Sequence, residues 1–376
     1  MHATIRSYWD LQRSCLSNRL TNSMLLRSPT KLVRHGLVLR SSLFSRFDAD
    51  WRQRHCSTTA ETMDIGGVTL GFLGLGQMGS RMASNLLDKT DLPVVIYDTN
   101  PKSMSSLEAK GARVAASGEE VARQAHVIMT MLPATQHVQA VFGDIIIPHA
   151  RKGTLLIDGS TIDPTASKAL AARAKTMGLD MVDAPVSGGV GGAEAGTLTF
   201  MVGGDVQCVK KAEVSMLRHM GKKVVHCGPV GTGAIAKICN NLILGINMVG
   251  VAEAMRLGVA LGMDPHILNG VVNASSGRSW VTETYNPCPT VVPSAPSSHD
   301  YQGGFASKLM QKDLGIAGDA AKVVGVPLPL GAAAQQLYAL MQVNDLGNKD
   351  FSSVYRFLEG ARGSDSSKNE TGGKRE

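Results

Sequence analysis

Short apolar runs recur through the middle of the chain, and each is separated from the next by a stretch with helical periodicity. The runs rich in β-branched residues are 68–73, 94–97, 127–131, 154–158, 181–184, 198–202 and 224–226. Strands that are apolar along their whole length are typical of a parallel sheet with helices on both faces. The alternation therefore predicts an α/β domain with a doubly wound, largely parallel sheet.

The pattern changes after Thr232, beyond which no strand-like run occurs. An apolar run of helical length covers 228–253, and Asp264 followed by Pro265 is typical of a helix start. Further helical patterns cover 305–323 and 331–344, and a shorter one begins near Ser352. Between them, the proline-rich segment 281–304 predicts a long irregular loop, a candidate lid or substrate wall. We therefore predict an all-α C-terminal domain.

A glycine-rich turn joins the first predicted strand to the first predicted helix. It consists of Gly74, Leu75, Gly76, Gln77, Met78 and Gly79. Between a strand and a helix, this spacing predicts a dinucleotide-binding site of the Rossmann type. We expect Gly74 to permit the tight turn, Gly76 to let the backbone approach a pyrophosphate, and Gly79 to let the helix pack closely on the strand. The phosphates would lie at the helix N-terminus, where free N–H groups favour negative charge.

Asp98 follows Gly79 by nineteen residues, at the end of the second predicted strand. A carboxylate at this position can accept hydrogen bonds from an adenosine ribose. The next residue is Thr99 rather than arginine, so no guanidinium is placed to hold a 2′-phosphate, although Lys102 stands near enough to contact one. We therefore predict NAD, rather than NADP, as the cofactor.

The apolar run 228–253 carries Lys237 and Asn241, whose i, i+4 spacing places them on one face of a helix. Burying these polar groups among Ile, Leu, Met and Ala is costly unless they serve a purpose. We therefore predict that this helix forms the floor of a substrate site. The helix is apolar on nearly every side, so we also expect a second subunit to cover it, in a homodimer or homotetramer. Its charged residues, among them Glu253 and Arg256, argue against a membrane span.

Three other sets of residues could contribute to a site. The glycine-rich stretch 185–198 follows a predicted strand, and its backbone amides could face an anion; a flexible connector is the alternative. Leu132, Pro133 and Thr161 follow strands at the edge where ligands bind in open parallel sheets, although Thr161 also suits a helix start. Lys312 could reach back to the cofactor or could be a solvated helix lysine.

The formal charge of +7 is concentrated at the N-terminus. Residues 1–56 hold ten basic and three acidic residues, which leaves 28 of each sign in the rest of the chain. A body without net charge has no electrostatic footprint for nucleic acid. The arginine- and serine-rich segment 1–56 is typical of a mitochondrial transit peptide, with a basic arm that stays attached as the alternative. It contains no apolar run long enough for a membrane span or a secretory signal.

The six cysteines include no CxxC pair, which favours a reduced compartment and provides no zinc site. The histidines are dispersed, so we predict no metal. Together these patterns predict a transit peptide at 1–56, a NAD-binding domain at 66–229, a helical substrate and dimerisation domain at 230–360, and a disordered tail at 361–376.

Four motifs in this order resemble those of the β-hydroxyacid dehydrogenase family. They are GFLGLGQMGSRMA at 71–83, DAPVSGGVGGAEAGTL at 183–198, GTGAIAKICNN at 231–241 and MQKDLGIA at 310–317. The resemblance implies that Lys237 is catalytic and that the substrate is bound by Ser187, Gly188, Gly189 and Asn241. It also implies cofactor contacts by the glycine turn with Asp98, and by Leu132, Pro133, Thr161, Phe305 and Lys312.

Within that family, segments 275–289 and 301–305 are similar to those of members that act on 3-hydroxyisobutyrate. The resemblance thus implies NAD-dependent oxidation of this 3-hydroxy acid to methylmalonate semialdehyde in the mitochondrial matrix, as part of valine catabolism. One alternative is an NADPH-dependent reductase of glyoxylate or succinic semialdehyde, against which Thr99 argues. A non-catalytic dinucleotide-binding module is the other, and the presence of Lys237 argues against it.

Overall fold

The computed structural model describes residues 67–360, so the predicted transit peptide and C-terminal tail lie outside the described residues. Residues 70–228 form a sheet flanked by helices, and residues 232–359 form helices joined by irregular segments. The doubly wound α/β fold followed by an all-α region is therefore confirmed. Whether the domains divide at residues 229 and 230 remains a prediction.

The sheet of the described chain has nine strands. They are β1 (Leu70–Leu73), β2 (Val94–Tyr97), β3 (Arg113–Val114), β4 (Val127–Thr130), β5 (Leu155–Asp158), β6 (Asp180–Asp183), β7 (Val186–Ser187), β8 (Leu198–Gly203) and β9 (Gly221–Gly228). The spatial order is β3-β2-β1-β4-β5-β6-β8-β7, and β9 also pairs with β8. Pairing is parallel from β3 to β6, antiparallel between β8 and both β6 and β7, and parallel between β8 and β9.

Helices cover both faces of this sheet. They are α1 (Gly79–Lys89), α2 (Ser105–Glu108), α3 (Gly118–Gln124), α4 (Thr135–Ala140), α5 (Ile147–His149), α6 (Pro164–Thr176), α7 (Gly189–Ala195), α8 (Val206–Ala212) and α9 (Arg218–Met220). A π-helical turn, Val141–Ile146, joins α4 to α5, and another, Glu213–Leu217, joins α8 to α9. Successive strand residues face opposite cores: Phe72 and Ile157 pack on one side, and Leu73 and Leu156 on the other.

The second half contains α10 (Thr232–Ala260), α11 (Pro265–Asn273), α12 (Trp280–Thr284), α13 (Ser307–Val324), α14 (Pro329–Gln342) and α15 (Val354–Glu359). Among the described residues, α10 is the one helix that is long and apolar enough to cross a membrane. It packs instead into a third core with α13 and α14, to which Met248, Met310 and Tyr338 contribute.

The structure differs from the sequence-based expectation in several elements. The strands β3 and β7 were missed because two residues are too few to show a periodicity. The predicted helix at 305–323 begins only at Ser307, because the Phe305 N–H is bound by Asp350 and Ala306 forms a bridge with Asp350. The helix predicted at 331–344 begins earlier, with Pro329 in its first turn.

The segment predicted as an irregular loop at 281–304 is partly ordered into helix. Ser279 and Thr282 form a capping box that starts α12, and Pro296–His299 forms a 3₁₀ turn. Asn286 and Tyr301 are buried, and the Tyr301 hydroxyl donates to the Pro287 carbonyl at 3.0 Å. The segment is also tied to α11, because Asn286 Nδ2 donates to Asn269 Oδ1 at 2.9 Å.

Candidate active site

The glycine turn after β1 is tight and closely packed, except at Gly76. Gly74 has a φ of +89°, and a Cβ there would lie 2.5 Å from the Met131 carbonyl oxygen. A Cβ at Gly79 would overlap the Gly74 carbonyl oxygen, so the start of α1 packs directly on the turn. A Cβ at Gly76 would meet nothing within 4 Å, which leaves its backbone open to a ligand. Gln77 and Met78 complete the turn, and Met78 immediately precedes α1.

Asp98 lies at the end of β2 and holds this turn. Its Oδ2 accepts a hydrogen bond from the Leu75 N–H at 2.6 Å, and its Oδ1 accepts one from the Asn100 N–H at 2.7 Å. A cavity of about 230 Å³ opens beside it, and its lining includes Gly74, Asp98, Thr99, Glu119 and Leu132. Its charged lining residues are both acidic and would repel a 2′-phosphate. The donor and acceptor set thus fits NAD better than NADP.

The turns after β4 and β5 are joined by a side chain from the helical region. Lys312, on α13, donates hydrogen bonds through Nζ to the Pro133 carbonyl at 3.2 Å and to the Thr161 carbonyl at 2.9 Å. Leu132 packs against Gly74, and its N–H donates to Ser160 Oγ at 2.8 Å. Lys312 therefore bridges the two halves of the described chain instead of standing free in solvent.

Lys237 lies on α10, one helical turn before Asn241, and its side chain is half-buried. Burial lowers the pKa of Lys237 below the ordinary value of 10.5; the Asp313 carboxylate opposes this shift, and the Lys312 ammonium adds to it. A lysine with a lowered pKa is more often neutral at a given pH, and a neutral amine can accept a proton and return it as an ammonium.

Asn241 is buried and is part of a polar network with α13. Its Nδ2 donates to Asp313 Oδ2 at 2.5 Å, and its Oδ1 accepts from Asn240 Nδ2 at 3.1 Å. Asp313 Oδ1 lies 3.0 Å from Lys312 Nζ, in an ion pair without hydrogen-bond geometry. Lys237, Asn241 and Lys312 are thus grouped around one buried carboxylate.

The glycine-rich stretch after β6 is more regular than a loop. Val186 and Ser187 form the short strand β7, and α7 begins at Gly189. Gly188 and Gly189 have φ angles of 137° and 62°, which a residue with a side chain rarely adopts. These angles produce the sharp change of direction from β7 into α7, whose first amides have no partner within the helix.

Phe305 belongs to a different group of side chains from the other predicted cofactor contacts. Its N–H donates to Asp350 Oδ2 at 2.7 Å, and its ring packs edge-on against Phe351 at 5.9 Å. Asp350 Oδ2 also accepts from the Tyr285 hydroxyl at 2.9 Å. The structure connects Phe305 with segment 285–304 and with the start of α13.

Three acidic residues with a place in this arrangement were not predicted from the sequence. Asp313 lies on the buried stripe of α13 with Met310, Leu314 and Ala317, and that i, i+3, i+4, i+7 spacing was the available signal. Asp183 is the last residue of β6 and accepts hydrogen bonds from N–H groups at the start of α10. Glu119 stands in the first turn of α3, and only the fold places it in the cavity beside Asp98.

Among residues 67–360, no group of three His, Cys, Asp or Glu side chains is arranged to hold a metal ion. A doubly wound sheet with an open glycine turn, followed by a helix that carries a half-buried lysine of lowered pKa, defines a nicotinamide-dinucleotide-dependent dehydrogenase.

Comparisons with known proteins agree with this class. Residues 69–228 match the family model described as the NAD-binding domain of 6-phosphogluconate dehydrogenase. Residues 231–358 match a second family model, described as NAD-binding of NADP-dependent 3-hydroxyisobutyrate dehydrogenase. The chain belongs to the β-hydroxyacid dehydrogenase family and is an NAD-dependent dehydrogenase.

Two relatives and one solved structure are similar to this chain over more than three quarters of its length. The mitochondrial 3-hydroxyisobutyrate dehydrogenase of Homo sapiens is 49% identical over 291 residues, which is 77% of this chain and 86% of that protein. The NAD-dependent L-serine dehydrogenase of Pseudomonas aeruginosa is 43% identical over 296 residues, 78% of this chain and 99% of that protein. The structure of Mycobacterium tuberculosis 3-hydroxyisobutyrate dehydrogenase with L-serine is 40% identical, with a TM-score of 0.73, and the match covers 77% and 99% of the two chains.

Proposed function

We propose that this chain catalyses the NAD-dependent oxidation of 3-hydroxyisobutyrate to methylmalonate semialdehyde, a step of valine catabolism. The observation that carries the proposal is the half-buried Lys237, which has a lowered pKa and lies on the helix behind the cofactor turns. The name of the human relative and its 49% identity support the substrate.

The roles of the binding residues follow from their donors. The glycine turn from Gly74 to Gly79 would hold the pyrophosphate, and Asp98 would hold the ribose. The wall beside the nicotinamide would be formed by Leu132, Pro133 and Thr161. Lys312 donates hydrogen bonds to the carbonyls of the last two residues. Phe305 would reach the cofactor from the start of α13. When bound, NAD supplies the acceptor for the hydride that leaves the carbinol carbon.

The substrate would lie between the turn after β6 and α10. Its carboxylate would accept hydrogen bonds from Ser187, from the amides of Gly188 and Gly189, and from Asn241, whose Nδ2 carries a second hydrogen beyond the one given to Asp313. Its 3-hydroxyl would donate to neutral Lys237 Nζ, which takes the proton as the carbonyl forms. In the reverse direction, the Lys237 ammonium returns that proton to the alkoxide oxygen.

Initial rates of NAD reduction test the proposal directly. The purified chain is assayed with 3-hydroxyisobutyrate and either NAD or NADP, and in parallel for reduction of glyoxylate and succinic semialdehyde with NADPH. We expect rapid turnover of the first acid with NAD and at least about tenfold lower kcat/KM with NADP. Efficient NADPH-dependent reduction without oxidation of 3-hydroxyisobutyrate would overturn the substrate assignment. The absence of turnover with every pair would instead indicate a catalytically silent module.

L-serine is a second candidate substrate, because a relative is named for it and a solved relative contains it. Its hydroxyl and carboxylate match those of 3-hydroxyisobutyrate, but its ammonium would enter a site that holds Lys237 and Lys312. Asp313 is already engaged by Asn241 and Lys312 and would balance this charge only in part. We therefore expect L-serine to be oxidised with a lower kcat/KM, which the same assay measures.

We also propose that the enzyme is a homodimer or homotetramer and works in the mitochondrial matrix. Exposed apolar side chains on α10, among them Ile243 and Leu257, support a second copy of the chain as their cover. The mitochondrial name of the human relative and the composition of residues 1–56 support the location.

A further inference from the structure

The helix that carries Lys237 has no cap of its own at its N-terminus. Its N-cap residue is Gly231, with a φ of +91° and no side chain to accept the free N–H groups of the first turn. Asp183, the last residue of β6, provides the cap from a distant part of the sequence. Its Oδ1 accepts from the Gly231 N–H at 2.6 Å, and its Oδ2 accepts from the Ala234 N–H at 2.7 Å.

These two hydrogen bonds are short, charge-assisted and buried. Asp183 is 1% exposed, and its negative charge faces the positive end of the dipole of α10. The first turn of α10 also packs closely on the strand ends, since a Cβ at Gly233 would lie 2.9 Å from Asp183 Oδ2. The carboxylate therefore sets the position of this turn, and Lys237 stands one turn further along the same helix.

Asp183 is also fixed relative to the turn proposed to hold the substrate. Only Ala184, Pro185 and Val186 separate it from Ser187, and Ala184 and Val186 are buried in the core of the sheet. A displacement of α10 from Asp183 would therefore change the distance between Lys237 Nζ and the Ser187–Gly189 turn.

We propose that Asp183 is a positioning residue, whose carboxylate ties the first turn of α10 to the end of β6 and thereby places Lys237 against the substrate. The inference rests on the proposed function in so far as Lys237 accepts the proton. The side-chain hydrogen bonds of Asp183 go to the start of α10 and not to the turns after β1, β4 and β5. Loss of the Asp183 carboxylate should lower the rate of proton transfer to Lys237 and leave the affinity for NADH unchanged.

Asp183→Asn is the main test, because both carboxylate oxygens face N–H donors and an amide can satisfy only one of them. We expect kcat to fall between about tenfold and about a hundredfold, the scale for a reacting group displaced by about 1 Å. The Kd for NADH, measured by fluorescence, should stay within about twofold of the wild-type value. Asp183→Ser, which is smaller and keeps one acceptor, is a second variant in case the first does not fold.

A readout without turnover reports on Lys237 itself. Acetic anhydride labels neutral amines, so mass spectrometry of the Lys237 peptide across pH gives the midpoint of its titration. Burial lowers the pKa of Lys237, while Asp313 and Lys312 are the charged groups that act on it. Releasing the first turn of α10 should admit water and move the labelling midpoint in Asp183→Asn upward toward 10.5.

Asp158→Asn is the matched control. Asp158 is the neighbour of Asp183 in the register of β5 and β6 and is also fully buried. Its Oδ1 accepts from Thr130 Oγ1 at 2.9 Å and from the Ser160 N–H at 3.0 Å, whereas its Oδ2 has no partner. An asparagine can keep both bonds, so this variant removes the same charge one strand away. We expect kcat and the labelling midpoint to stay close to the wild-type values.

The outcomes separate the inference from the proposed function. A wild-type chain that fails to oxidise 3-hydroxyisobutyrate would overturn the function, and the labelling midpoints would still decide the role of Asp183. Unchanged midpoints and unchanged turnover in the Asp183 variants would overturn the inference. Parallel losses of NADH affinity and thermal midpoint would also overturn it, because they would show a general structural defect.

Discussion

At the scale of single residues, the proposed chemistry depends on the protonation state of Lys237. An arginine at this position would stay protonated at every accessible pH and could not accept the hydroxyl proton. We expect Lys237→Arg to reduce kcat for oxidation by about 10²- to 10⁴-fold, the range for a lost general base. NADH affinity should remain, since Lys237 is not proposed to bind the cofactor.

The pH dependence of the wild-type enzyme should follow the same group. Oxidation needs the neutral amine, so kcat for oxidation should rise with pH through the lowered pKa of Lys237 and then level off. Lys308→Arg is the control, because Lys308 is exposed on α13 and binds Asn348 at 2.7 Å. A Lys237→Arg enzyme with near wild-type turnover would contradict the assignment.

Asp158 allows a separate prediction about stability. Burial raises its pKa from 3.8 to about 6; hydrogen bonds from the Ser160 side chain and amide and from Thr130 oppose the shift, and the nearby Asp183 charge adds to it. A pKa raised on folding favours the folded state below pH 3.8, and this contribution is lost as the pH rises through about 6. The loss amounts to about 3 kcal/mol, from a shift of about two units at 1.36 kcal/mol each.

Asp158→Asn carries no charge at either pH. Compared with the wild type, it should therefore gain stability at pH 8 relative to pH 4.5, as measured by urea unfolding of the cofactor-free protein. If the difference in unfolding free energy between the two proteins is the same at both pH values, folding does not change the pKa of this carboxyl group.

At the scale of elements, the junction between segment 285–304 and α13 depends on one glycine. Gly304 has a φ of +63°, and a Cβ there would overlap Asp350 Oδ2 and lie 2.5 Å from the Tyr285 hydroxyl. Gly304→Ala would displace the carboxylate that binds Tyr285 and the Phe305 N–H. We expect a loss of about 3 kcal/mol or more in stability, since the change combines overpacking with a broken buried network.

Its neighbour Gly303 provides the control. Gly303 has a similar φ of +74°, but a Cβ there would meet nothing within 4 Å. Gly303→Ala should therefore cost only about 1 to 2 kcal/mol for the left-handed backbone. Thermal unfolding of both variants measures the difference, and equal midpoints would show that the Asp350 cluster does not hold this junction.

At the scale of the whole molecule, the exposed apolar side chains of the helical half predict self-association. Those on α10, α11, α13 and α14 include Ile243, Leu257, Ile267, Val271, Val323, Leu330 and Leu340. Light scattering should give two or four times the 39.7 kDa mass of one chain. Leu257→Lys, at a side chain that is 62% exposed, should shift the population toward monomer.

The control for this surface lies on α8, beside the sheet. Val206 is 49% exposed, so Val206→Lys adds the same charge at a comparable exposed apolar position outside the helical half. It should leave the mass unchanged. A wild-type protein that is monomeric at micromolar concentration would contradict the proposed oligomer.

The sequence alone determined the fold class and the position of the glycine turn between β1 and α1. Continuous apolar strands and the spacing of Gly74, Gly76 and Gly79 are local signals, because burial on both faces and a tight turn each limit the residues that can stand there. The placement of Lys237 and Asn241 on one helix face was an equally local signal, since the two residues lie on consecutive turns of one helix. Short strands such as β3 and β7 carried no such signal.

Only the tertiary structure decided which distant groups meet. Asp183 and Ala234 are 51 positions apart, and Lys312 and Thr161 are 151 apart, so no periodicity relates them. Their contacts exist because parallel strands end at one edge of the sheet and because the helical half packs against that edge. The same packing partly buries Lys237 and lowers its pKa, since desolvation depends on every element that surrounds the amine.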